Sequence, residues 1–271
     1  SFNRSGVNYD AGARTPIAAL LAGIILVGLV LVVAPLTAYL PKAAMAGLLL
    51  LVAWGLFDFH HFAKIFQSSK QEGVVTFLTF FATLLLELEF AILLGVLASL
   101  AVYLRRTSKP NIQVRTPDPA HPGRKFTTDA RLPECPQLSM VRIDGSIWFG
   151  AVSYITERLR HLTQRRPEQK HLLLLTQSVN FVDVAGAEFL AAEARKRNAM
   201  GGALYLYKLK PGVCEPLNRG DHYRDIGAEN TFDSKTEAIA TIVENLDPKI
   251  CETCQARIFR ECAGRPGGTN G

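Results

Sequence analysis

Residues 15–41 carry no charged side chain, and 17–34 are apolar throughout. As one helix, these roughly 27 residues would reach about 40 Å. That crosses a hydrocarbon core of about 30 Å with some tilt. A core helix of a soluble protein rarely needs such length without a polar face. The stretch reads as a membrane segment, and the rest of the chain as its surroundings.

Charge divides the chain in two. Residues 1–104 hold five Lys/Arg and five Asp/Glu, while residues 105–271 hold the other 25 and 19. The net charge of +6 therefore lies in the second part. A membrane part followed by one soluble domain is the simplest organisation. The apolar stretch lacks a small-residue cleavage site and is followed by further apolar stretches, which argues against a signal peptide. Five cysteines, an odd number and mostly near the end, do not suggest a secreted disulfide framework. A reducing compartment fits the soluble part.

Residues 43–57, 73–86 and 90–104 are three more apolar stretches, short for full spans and so tilted or kinked. Pro35 and Pro41 bracket a turn or helix break. Four crossings put Arg14, Lys64, Lys70, Arg105, Arg106 and Lys109 on one side and only Lys42 on the other. The positive-inside rule makes the basic side cytoplasmic. Glu87 and Glu89 sit at a turn facing outside, or serve proton coupling if that turn lies deeper. His60 and His61 read as interfacial residues of a cytoplasmic loop rather than metal ligands.

Residues 1–14, SFNRSGVNYDAGAR, allow two readings. One is an interfacial loop whose Arg4 and Arg14 meet lipid headgroups. The other is a short helix starting at membrane depth, where free N–H groups, small hydroxyls and the Arg4 guanidinium form an anion site. Arginine at that depth costs a few kcal/mol unless it faces water or a counter-anion.

Residues 105–131 hold seven Lys/Arg, two Asp and four Pro, an extended, irregular basic linker suited to anionic headgroups. No aromatic interleaving or motif supports nucleic-acid binding. From Pro136 short strands alternate with amphipathic helices. Residues 138–143 and 146–149 read as strands, 172–176 as a central strand and 203–207 as another. Ser234 and Glu237 form a capping box before the last helix. The order describes an α/β sandwich of about 110 residues. A turn at 178–186 joins the central strand to a long helix. No Walker lysine, GxGxxG, nucleophile elbow or Ser-His-Asp arrangement is present, so an enzyme is not expected.

The last cysteines are Cys251-x-x-Cys254 and Cys262. Two thiols at CxxC spacing can bind one metal, with Cys262 as a third ligand. Cys135, Cys214 or His222 completes the set only if folded nearby. Zinc, an iron–sulfur centre, a redox pair and plain reduced thiols all stay open.

Ser1-Phe2-Asn3-Arg4-Ser5-Gly6-Val7-Asn8, with Ala11-Gly12-Ala13-Arg14-Thr15-Pro16, resembles the signature before the last spans of sulfate permease (SulP) family anion transporters. Tyr39-Leu40-Pro41-Lys42-Ala43-Ala44 is similar to the family too, and the soluble domain resembles a STAS domain. The resemblance implies fourteen membrane segments in two inverted repeats of seven, this chain beginning at the tenth. It implies a membrane all-α segment (1–104), a basic linker (105–131), a cytoplasmic α/β STAS domain (132–246) and a Cys-containing tail (247–271). Segments three and ten would be half-helices facing each other around the anion, so Ser1, Asn3, Arg4 and Ser5 would line the site. Asn3 stands where the family usually has Ser. The implied activity is secondary active transport of sulfate, bicarbonate, chloride or a dicarboxylate by an elevator-type mechanism, as a homodimer in the cell (inner) membrane and without a cofactor. A membrane-tethered STAS module binding a cytoplasmic protein is the alternative. Stand-alone STAS proteins carry a phosphorylated hydroxyl at the turn that here reads Asp183-Val184-Ala185-Gly186. Neither middle residue has a hydroxyl, so no phosphorylation switch is expected there.

Overall fold

The computed structural model describes residues 8–39, 41–56, 60, 64, 66–67, 69–118 and 125–264. The chain divides into two compact units, Ser1–Val74 and Val75–Gly271.

In the first unit, α1 spans Ile17–Val33, a 3-10 helix follows over Ala34–Tyr39, and α2 spans Lys42–Leu56. The uninterrupted helix expected over 15–41 stops at Val33. Pro35 has no N–H to give the carbonyl of Leu31, so the ladder changes to the tighter form there. No residue of α1 is buried, and Leu31 is 76% exposed. A helix apolar all round and uncovered is one that needs lipid or further helices.

The second unit begins within α3 (Lys70–Leu85), whose later turns form a hairpin with α4 (Leu88–Thr107). Small residues make its contact: Ala82 and Ala91 are buried, and a Cβ at Gly95 would lie 2.9 Å from Thr79 Oγ1. Close approach through small side chains is how helices pack where solvent gives no hydrophobic drive. Among the described residues α4 alone is long and apolar enough to cross a membrane, with 20 residues and mean hydropathy 1.9. Arg105 and Arg106 close its last turn, complementing the helix dipole.

The sheet is built from β1 (Asn111–Val114), β4 (Leu138–Asp144), β5 (His171–Leu175), β6 (Leu204–Tyr207) and β7 (Thr231–Phe232) in that spatial order. β1 is antiparallel to β4 and the others are parallel. A separate ladder joins β2 (Thr116–Pro117) and β3 (Phe126–Thr127). The segment expected to be an irregular linker therefore supplies the sheet's edge strand. Pro119, Pro122 and Arg124 lie outside the described residues.

β5 is buried on both faces, which explains its unbroken HLLLL. Period-two alternation sorts the core. Val141, Ile143, Leu172, Leu174, Leu204 and Leu206 face α5 (Phe149–Arg165), α6 (Val184–Ala199) and α7 (Pro211–Arg219). Leu138, Met140, Leu173, Leu175 and Tyr205 face α9 (Lys235–Glu244) and the C-terminal segment. A short helix, α8 (Tyr223–Ile226), precedes β7. The Cys-containing 247–271 segment folds in part onto this second face through α10 (Pro248–Thr253) and Phe259, which is 4% exposed. Residues 265–271 lie outside the described residues.

The strand expected at 146–149 is instead a single bridge, Ile147 to Val182, followed at once by α5. On α6, Arg197 is buried and ties that helix to α5 and to the loop before β5. It donates to Glu193 Oε1 (2.7 Å), the Gln169 carbonyl (3.0 Å) and Thr163 Oγ1 (2.9 Å).

Candidate functional site

Ser1, Asn3, Arg4 and Ser5, expected to line the anion site, lie outside the described residues, as does His61. Two other expected sites fall within them.

The first is the turn before α6. Asp183 is the N-cap: its Oδ1 accepts from Gly186 N at 2.8 Å. Its Oδ2 accepts from Phe149 N, the first residue of α5, at 2.9 Å. One carboxylate thus satisfies donors at two helix starts, where negative charge is favoured. The backbone locks the same corner. Ile147 N donates to the Phe181 carbonyl (3.2 Å), and Asp183 N donates to the Ile147 carbonyl (3.3 Å). Gly186 is required by close approach, since a Cβ there would stand 2.1 Å from Ile147 O. Around the corner Phe149, Phe181 and Val184 are 70%, 50% and 78% exposed, an apolar rim on an otherwise charged domain. Ser178, the nearest upstream hydroxyl of the turn, accepts from Arg142 Nη2 at 2.8 Å. Sequence reasoning found the turn but missed the grip of Asp183 on Phe149, because the two are 34 residues apart.

The second is the cysteine cluster. Cys135, Cys251, Cys254 and Cys262 line one small cavity under the second sheet face. Cys214 is on α7 and does not line it. Burial pushes the Cys135 thiol up to about 11, with smaller upward pushes from Cys254 and Cys262. Burial likewise raises Cys262, and Cys251 and Cys254 add to it. His222 lies by Glu188, 3.6 Å away, in the region of Asp183 rather than of the cysteines.

An exposed apolar helical segment followed by a five-stranded α/β domain defines a membrane protein with a soluble module attached. The sulfate permease family model matches residues 1–79, and the STAS domain model matches residues 129–238. The chain is thus similar to the sulfate permease family over its first part and to STAS domains over its second. It is similar to the putative sulfate transporter YvdB of Bacillus subtilis, 26% identical over 86% of this chain and 42% of that protein. It is also similar to the high affinity sulfate transporter 2 of Stylosanthes hamata, 26% identical over 89% and 38%. The chloroplastic sulfate transporter 4.1 of Arabidopsis thaliana is 29% identical over 67% and 27%. The chain thus spans about two fifths or less of the length of these curated relatives. These relatives are transporters, not enzymes. The inward-facing structure of the murine Slc26a9 anion transporter shares the fold, with TM-score 0.71 and 20% identity over 87% of this chain and 39% of that one.

Proposed function

We propose that this chain is the membrane and STAS portion of a secondary active anion transporter, with sulfate as the leading substrate. The observation that carries the reading is the pairing, in one chain, of a sulfate permease match over 1–79 with a STAS match over 129–238. The apolar exposure of α1 and α2 supports a lipid or helix-packed setting.

In this reading residues 1–104 belong to the transporter domain and 132–246 to the STAS domain. Arg4, with Ser1, Asn3 and Ser5 beside it, holds the anion near the bilayer midplane at a helix start, where unpaired amides and a guanidinium offset the lost hydration. An elevator-type motion alternates access, and the protein works as a homodimer. The basic side faces the cytoplasm, which puts the STAS domain there. Transport of this kind needs no cofactor.

The exposed rim of Phe149, Phe181 and Val184 favours a second reading, a tethered module that holds a cytoplasmic protein. The two are separated by flux. Labelled sulfate uptake is measured in proteoliposomes carrying the complete transporter that contains this chain and its Arg4→Ala variant. Uptake abolished by Arg4→Ala with insertion intact supports the anion site; uptake unchanged removes Arg4 from it. No uptake by the parent protein, with Phe149→Asp or Val184→Asp blocking partner capture, leaves the module reading.

A further inference from the structure

Four of the five cysteines meet at one place although they come from both ends of the domain. Cys135 precedes β4, Cys251 lies in α10, Cys254 caps that helix, and Cys262 lies in the 3-10 turn Arg260–Gly264. Their meeting is built rather than incidental. Gln137 Nε2 donates to the Asp247 carbonyl (3.0 Å), and Asp247 N donates to Gln137 Oε1 (2.9 Å). The same Nε2 lies 3.5 Å from Cys251 Sγ, a contact with a sulfur acceptor. Arg257, at φ +35°, turns the chain back in the left-handed region, and its Nη1 donates to the Cys262 carbonyl at 2.9 Å.

A thiol is a weak hydrogen-bond donor and acceptor, so hydrogen bonding alone gives no reason to gather four in one cavity. As thiolates, four sulfurs are the donor set of a closed structural zinc site. The cavity is about 20 Å³, room for roughly one water-sized sphere. That suits one ion and not a polynuclear iron–sulfur cluster. An N–H directed at a ligating sulfur and a cation beside the site are the partners such a centre uses. Gln137 and Arg257, both lining the cavity, supply them. Among the described residues no three Cys, His, Asp or Glu side chains already stand at metal-ligand spacing, so closing the site asks the sulfurs to turn inward.

We propose that Cys135, Cys251, Cys254 and Cys262 bind a single zinc ion that fastens the C-terminal segment to the sheet. Each thiol gives its proton to solvent as the ion binds, and no redox step is involved. This does not depend on the transport reading.

The test uses the full chain in detergent, purified under reducing conditions, stripped with chelator and titrated with zinc and separately with cobalt. One equivalent of zinc and the intense visible bands of tetrahedral thiolate cobalt are expected. Cys135→Ser and Cys262→Ser should each weaken binding by at least the roughly 100-fold that follows loss of a ligand's hydrogen-bonding partner. Cys214→Ser should leave it unchanged. On the unsubstituted chain, zinc should protect four of the five thiols from alkylation. Sub-stoichiometric zinc, undiminished binding by Cys135→Ser, iron with cluster absorbance, or alkylation of all five thiols at the same rate with and without zinc would each overturn the proposal.

Discussion

Asp183→Ala should unpin two helices with one substitution. Its carboxylate takes Gly186 N at 2.8 Å and Phe149 N at 2.9 Å. Losing an N-cap costs about 1 kcal/mol, and losing a hydrogen bond to a charged acceptor about 1.5 kcal/mol. The expected loss is about 2–3 kcal/mol, roughly 30- to 150-fold in the folding equilibrium. Asp183→Asn keeps one oxygen acceptor and should lose only about 1 kcal/mol. The chain provides its own probe. It has two tryptophans, and Trp148, packed against the core, immediately precedes Phe149. In a Trp54→Phe background, urea titration in detergent followed by Trp148 emission reads the STAS fold alone. The midpoint should fall with an unchanged slope. A loss below about 0.5 kcal/mol for alanine, or equal losses for alanine and asparagine, would refute the two-helix role of the carboxylate.

Gly186→Ala should be worse, because its Cβ would stand 2.1 Å from a backbone oxygen rather than a movable side chain. A loss of about 3 kcal/mol is expected, read in the same titration, and a loss under about 1 kcal/mol would mean the corner opens freely. His171 gives a pH dependence. Burial first, then the positive charges of Lys170 and Arg197, pushes its pKa below the ordinary value. The unfolded chain therefore binds a proton that the native chain refuses, and stability falls as pH drops below about 6.5. His171→Gln should flatten the urea midpoint between pH 7 and pH 5; an unchanged slope would show that other groups set it.

What could be read in the sequence was local or periodic. The short apolar runs at 138–143, 172–176 and 203–207 gave strands close to those observed, because a strand covered on both faces is apolar at consecutive positions. The capping box was legible too, and Ser234 Oγ accepts from Glu237 N at 3.5 Å. What could not be read depends on distant partners. Residues 146–149 carry β-like composition, yet Asp183, far downstream, caps a helix at Phe149. Residues 111–114 look irregular until β4 offers its edge. Cys135 joins the other three thiols only because sheet and tail close over each other. Pro35 marks a break in the sequence, yet only the backbone shows that it ends α1 at Val33. The proposed anion-site residues Ser1, Asn3, Arg4 and Ser5 are legible only as a sequence motif.

Between the end of α4 at Thr107 and the start of β1 at Asn111 only three residues intervene, a reach of about 10 Å at most. The Thr107 carbonyl also takes the Trp148 indole N–H at 3.4 Å, beside the start of α5. There is little slack in such a tether. A shift of the helix end loads the β1–β4 ladder in shear and pulls on the corner that Asp183 holds, making this junction a lever between bilayer and sheet.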